Sequence, residues 1–212
     1  MRKSRVRLFA LALALMLLAA PAARASEGFH AAYLSGFPDG TVRPLAPATR
    51  EQTAQMLLRL LTDGARDELC RSRTAFPDVP PARWSYAAVS AMCELGVMPG
   101  RGDGSWRPDE TLGGRELAAI LNRLMGLSGA RAAFSPMEER YFVIPDGPVT
   151  RAALAAALNR LFGREPAAVL DGAPHWPDNA DETAWYYLDI QEASAGHTFA
   201  AADGTERWTG LG

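Results

Sequence analysis

The sequence predicts an all-α protein built from three helix-loop-helix repeats. Three observations carry that expectation. Apolar residues recur at helical spacing in three separate stretches, each stretch follows a turn-rich loop, and the stretches superpose on one another at fixed offsets. The chain has 212 residues, of which 48% are hydrophobic and 22% charged. Those proportions exclude a disordered or collagen-like chain.

The first element is not part of the fold. Arg2, Lys3, Arg5 and Arg7 precede an apolar run of 13 residues, Leu8 to Ala20, and Ala23-Arg24-Ala25 follows. A basic region, an apolar region and an A-x-A site predict a secretory signal over residues 1–25, cleaved after Ala25. The run is short for a membrane span, which needs about 20 residues. No other segment is apolar enough to cross a bilayer. Cleavage leaves 17 basic against 24 acidic residues, a net charge of −7. Such a chain does not attract nucleic acid or an anionic polymer through its overall field. Anion binding must come from placed arginines, the only strong cations left after Lys3 is removed.

Residues 36–61 (GFPDGTVRPLAPATREQTAQMLLRLL) superpose without a gap on residues 100–125 (GRGDGSWRPDETLGGRELAAILNRLM) at an offset of 64. A third copy, 142–162, aligns with the first at an offset of 101, matching Thr150-Arg151 to Thr49-Arg50. Met56, Leu57, Leu60 and Leu61 form one apolar helix face. Ile120, Leu121, Leu124 and Met125 form the second, and Leu154, Leu158, Leu161 and Phe162 the third. Thr49 and Thr150 stand at the N-cap, where a hydroxyl satisfies an orphan backbone N–H. Asp39-Gly40 and Asp103-Gly104 read as tight turns requiring positive φ. A second pattern, Phe76-Pro77-Asp78 before Trp84 and Trp176-Pro177-Asp178 before Trp185, opens two further amphipathic helices. The expected organisation is a first repeat at 26–69, a second at 70–129, a shortened third at 130–166, and a closing helix and tail at 167–212.

These residues resemble the S-layer homology family, whose unit runs from an F-x-D-V…W helix through G-Y-P-D-G-T-F-R-P to a T-R-A-E helix. Gly36 to Pro44, Thr49-Arg50, Phe76 to Trp84, Gly100 to Pro108, Thr150-Arg151 and Trp176 to Trp185 carry the likeness. His30 to Tyr33 resembles a truncated first repeat, and Asp189 to Ala193 with Glu206-Arg207-Trp208 resembles the closing segment. The resemblance implies a pseudo-threefold module that binds a secondary cell-wall polysaccharide, commonly pyruvylated, in grooves between repeats. In that family the T-R-A-E arginine is a main contact, which fits because a guanidinium fork suits a carboxylate.

The implied ligand-binding set is Asp39, Gly40, Arg43, Thr49, Arg50, Trp84, Asp103, Gly104, Arg107, Arg115, Thr150, Arg151 and Trp185. The repeats depart from the family pattern. The first has Gln52 in the acid position. The second has Gly113-Gly114 in place of Thr-Arg, with Arg115 one residue late. The third has Ala152-Ala153 and lacks the Asp-Gly-Thr loop. The best groove is therefore expected around Arg50, a less complete one around Arg151, and the weakest around Arg115.

Several features keep two readings. Trp84 and Trp185 either stack on sugar rings or fill the core, whereas Trp106 and Trp208 read as packing residues. Arg43 and Arg107 either touch ligand or clamp their own loops. Arg59, Arg123 and Arg160 read as helix flanks. Cys70 and Cys93, the whole thiol inventory, suit a disulfide in an exported protein, worth about 3 kcal/mol by loop entropy.

His30, His175 and His197 lie in unrelated segments, and Asp103 with Asp109 and Glu110 lacks calcium-loop spacing. No nucleophile elbow, zinc-protease motif or phosphate loop is present. Glu138-Glu139 reads as a solvated turn rather than a glycosidase pair. The expectation is a secreted, non-catalytic cell-surface anchor without metal or cofactor. Its partner would be a cell-wall polysaccharide attached to peptidoglycan, with neither nucleic acid nor membrane involved. No cargo domain is expected after the repeats. The alternative is therefore a surface protein-interaction or S-layer assembly module with eroded polysaccharide sites.

Overall fold

The computed structural model describes residues 26–126, 147–202 and 205–212. The expected signal, the Glu138-Glu139 turn and the first part of the third repeat, 130–146, lie outside them. The described elements are β1 (Ser26–His30), α1 (Arg50–Leu60), α2 (Asp63–Leu69), α3 (Tyr86–Glu94), α4 (Gly114–Gly126), α5 (Arg151–Leu161), a 3-10 turn (Pro177–Asn179), α6 (Tyr187–Ser194), β2 (His197–Ala202) and β3 (Thr205–Leu211). No described helix is long and apolar enough to cross a membrane.

The three repeat helices form where their caps and stripes require. Thr49 accepts from the Gln52 N–H at 3.3 Å, and the Gln52 side chain accepts from the Thr49 N–H, closing a capping box on α1. Thr150 caps α5 in the same way through the Ala153 N–H at 3.1 Å. Gly113 offers α4 no side chain for this purpose. Leu57, Leu60, Ile120, Leu121, Leu124, Leu154, Leu158 and Leu161 are all buried, each contributing about 1.5–3 kcal/mol by removal from water. α1 packs against α3, and α5 against α6. Trp106 lies wholly inside the core and Trp208 is buried at the sheet end.

The three N-cap segments meet at the centre of the molecule. The Ala48 N–H donates to the Val149 carbonyl at 2.8 Å, Val149 to Leu112 at 2.9 Å, and Leu112 back to Ala48 at 2.8 Å. A second triangle surrounds it and runs the other way. Arg50 donates to Glu110 at 2.9 Å, Gly114 to Gly147 at 2.8 Å, and Arg151 to Ala46 at 2.9 Å. Each repeat thus satisfies orphan helix-start donors with carbonyls from its neighbours.

The all-α expectation is corrected by a sheet. β1, β2 and β3 form three antiparallel strands in the order β1-β2-β3, with a register shift between Thr198 and Phe199. The segment read as a truncated first repeat contributes β1, and the closing tail contributes β2 and β3. Alternation is present in β3, where Glu206 and Trp208 are buried and Arg207 and Thr209 exposed. The buried set is polar, however, and β2 carries Ala200-Ala201-Ala202, a run that favours helix. Cys70 and Cys93 are free thiols, so the expected disulfide is not made in this structure. The Cys93 thiol instead donates to the Met98 carbonyl at 3.2 Å.

Candidate functional site

The Asp-Gly loops hold themselves together. Asp39 accepts from the Thr41 N–H at 3.0 Å, the Thr41 hydroxyl at 2.6 Å and Arg43 Nη2 at 2.7 Å. These bonds keep its carboxyl well below the ordinary range. Asp103 repeats the arrangement with Ser105 and Arg107. Gly40 and Gly104 take the positive φ expected of them, near 80°. Arg43 and Arg107 also sit at positive φ, 51° and 59°. That unfavourable backbone is fixed from outside the loop. The Asp178 carboxylate accepts from Val42 and Arg43 N–H at 2.9 and 2.6 Å, and Asp78 accepts from Trp106 and Arg107 at 3.0 and 2.6 Å. Burial pushes the Asp78 carboxyl up, but these N–H groups outweigh it and hold it below its ordinary value. The aromatic before each Pro-Asp docks where a side chain is missing. A Cβ on Gly36 would meet the Trp176 ring at 2.3 Å, and one on Gly100 the Phe76 ring at 2.3 Å. Of the two readings for Arg43 and Arg107, the loop clamp is the one their contacts match.

Arg50 and Arg151 begin equivalent helices in different surroundings. Arg50 is 1% exposed. It ion-pairs with Glu116 and donates to the Trp106 and Pro99 carbonyls at 2.9 and 3.2 Å. Its guanidinium lies 4.3 Å from the Trp106 ring centre. Arg101 also pairs with Glu116, at 3.2 Å, so one carboxylate serves two cations.

Arg151 is 4% exposed and donates to the Val42 and Ser35 carbonyls at 2.8 and 2.7 Å. Gln52 stands where the first groove has Glu116, its amide oxygen 3.4 Å from Arg151 Nη1. Phe37 stands where the first groove has Arg101, its ring centre 4.9 Å from the guanidinium carbon. Among the described residues no carboxylate lies within ion-pair range of Arg151. Burial, reinforced by the nearby Arg43 charge and partly opposed by the Asp178 carboxylate, pushes the guanidinium down to about 10, so it remains charged at neutral pH.

This cation borders a cavity of about 450 Å³ whose lining includes Ser35, Phe37, Gln52, Arg59, Trp84 and Arg151 but no acid. Trp84 is 59% exposed. Its neighbours fix its position: Arg83 holds Glu51 through two bonds of 2.7 and 2.9 Å, and the Ser85 hydroxyl donates to Glu51 at 2.6 Å. Trp185 is likewise on the surface, 63% exposed, so neither of these tryptophans fills the core. Arg59 donates to the Ser35 hydroxyl at the cavity edge.

The structure therefore brings Trp84 and Arg151 together. Thr49 and Thr150 serve as caps, the Asp-Gly loops with Arg43 and Arg107 are self-clamped, and Arg115 is exposed on α4. Gln52, Phe37 and Arg59 line the cavity and were not among the expected ligand contacts, and Glu51 braces the neighbours of Trp84 from outside it. The Gln in the acid position was the available signal, but it reports on the arginine of another repeat. A slightly larger cavity, about 480 Å³ against residues 167–175, offers Asp171 and Glu182 and no guanidinium. It is a poorer place for an anion.

Residues 30–54 and 75–116 match the S-layer homology domain. Two relatives come from Acetivibrio thermocellus. Cell surface glycoprotein 1 is 25% identical over 87% of this chain and 9% of its own length. Cellulosome-anchoring protein is 23% identical over 81% of this chain and 44% of its own length. The chain thus spans less than half of either relative.

Proposed function

Residues 30–54 and 75–116 match the S-layer homology domain, and from that premise we propose that the chain is a member of that family and anchors non-covalently at the cell surface by holding an acidic wall polysaccharide in the Arg151 groove. It is a cell-surface protein, and its role is binding without catalysis. The observation that carries the reading is a buried guanidinium with no carboxylate in ion-pair range among the described residues, bordering a cavity beside an exposed tryptophan. A ligand carboxylate, such as the ketal of a pyruvylated sugar, supplies the missing countercharge through the guanidinium fork. The Trp84 ring offers the apolar face of a sugar a stacking surface, and Arg59 adds a second cation at the edge. The groove around Arg50 holds its own carboxylate in Glu116 and is the weaker of the two.

The test is co-sedimentation of the purified protein with cell walls, before and after acid extraction of the secondary polymer. Pelleting should vanish on extraction and in Trp84→Ala, whose exposed ring can be removed without opening the core. Arg151→Gln should lose it as well. Equal pelleting by wild type and Trp84→Ala refutes the choice of groove. No pelleting by the folded wild type refutes the polysaccharide reading in favour of a protein-interaction module.

A further inference from the structure

We propose that His30, Glu192, His197 and Glu206 form a binding site for one divalent transition-metal ion of the zinc type, at the junction of the sheet and α6. One ligand atom from each residue lies within 4.8 Å of all the others. His30 Nδ1 is 3.1 Å from Glu192 Oε1 and 3.4 Å from Glu206 Oε1, and His197 Nε2 is 3.1 Å from both carboxylates. Tetrahedral ligands at bond lengths of 2.0–2.1 Å stand about 3.3–3.4 Å apart. The His–carboxylate separations are therefore already at metal-bound length, and the widest separation in the set, up to 4.8 Å, has to contract on binding. Two imidazole nitrogens and two carboxylate oxygens are a donor set suited to zinc.

The surroundings are those of metal ligands. His197 Nδ1 faces the Ala195 carbonyl at 3.1 Å. Donating there leaves the Nε2 lone pair directed at the cluster. Glu192 is oriented by Trp208 Nε1 at 2.9 Å and Arg164 Nε at 2.8 Å. Glu206 Oε2 is buried and has no hydrogen-bond partner among the described residues. Charge points the same way. Among the described residues, two buried carboxylates face one guanidinium, Arg164, which leaves one negative charge to be met. A proton on His197 can supply that charge, but it does not account for the convergence of His30 or for the orphan oxygen. The ion would tie β1, at the start of the described chain, to β2, β3 and α6. His30, the partly exposed member, lies on the entry side.

The experiment strips the purified protein with a chelator, then titrates ZnCl2 by calorimetry and follows thermal melting, with circular dichroism as the check on folding. The expected result is one zinc per chain and a melting temperature that falls on chelation and recovers with zinc. Co2+ in its place should give the strong visible absorption of a tetrahedral site. His30→Gln should weaken binding at least 10–100-fold, a loss that even an outer-shell partner can cause. His175→Gln, at an exposed histidine elsewhere, should not. Glu206→Gln gives a second measure. No saturable zinc uptake by wild type, or undiminished uptake by folded His30→Gln, overturns the proposal and leaves the cluster as a proton-held ion network. Neither result bears on the Arg151 groove, which the wall assay tests separately.

Discussion

Gln52→Glu restores the carboxylate that the Arg151 groove lacks, and its effects on stability and on binding should have opposite signs. The Gln52 oxygen is 3.4 Å from Arg151 Nη1. Unit charges at that separation attract by about 5 kcal/mol at an effective dielectric of about 20. Desolvating the new carboxylate returns several kcal/mol of that, leaving about 1–2 kcal/mol. The substitution lies in the first turn of α1, where an acid also meets the positive end of the helix dipole, and glutamate can keep the capping box. The melting temperature should therefore rise by about 2–8 °C. A ligand anion must now displace an internal partner, so affinity for the wall polymer should fall about 5–30-fold. Thermal melting and wall co-sedimentation on the same preparation read the two effects. Unchanged or tighter binding, or a lower melting temperature, would show that Arg151 is not waiting for an anion.

Three further outcomes follow from the described geometry. Trp106→Ala empties the largest fully buried side chain among the described residues and should cost about 3–5 kcal/mol in urea unfolding; a cost below 1 kcal/mol would contradict its placement. Asp78→Asn weakens the grip on two backbone N–H groups at the strained Arg107 and should cost about 1–2 kcal/mol, discounted for partial exposure. An unchanged midpoint would show that the loop holds itself. The Asp39 carboxyl, held down by Thr41 and Arg43, should titrate by NMR well below the ordinary 3.8. A depressed carboxylate stabilises the fold above its unfolded value and loses that contribution as pH falls towards its own. The loop should therefore stay closed through mildly acidic solution, and a midpoint at or above 3.8 refutes the clamp.

The helices were legible because their stripes and caps are local. Thr49 and Thr150 announce α1 and α5, and the apolar phase of Met56 to Leu61 fixes the buried face. The Asp-Gly loops were legible for the same reason. The sheet was not, because its buried positions include His197 and Glu206, which mimic the polar face of a strand. Its pairing also joins residues far apart in the chain, such as Glu27 and Ala200. The groove was half legible. Arg151, Trp84 and the Gln in the acid position were all visible. That Gln52 faces the arginine of the third repeat rather than that of its own became apparent only from the packing of repeats around the central triangles.

Those triangles bear on how such a chain can change over generations. Each joint is main chain to main chain, and the residues at the inner corners, Ala48, Leu112 and Val149, share little beyond being apolar. Assembly thus makes few demands on the side chains that follow. The second copy holds Gly113-Gly114 where the others hold Thr-Arg, and still meets its neighbours through the same bonds. A repeat can lose its ligand chemistry by drift without losing its place in the ring. One module can thereby keep a single working groove while its sister copies are released to other uses.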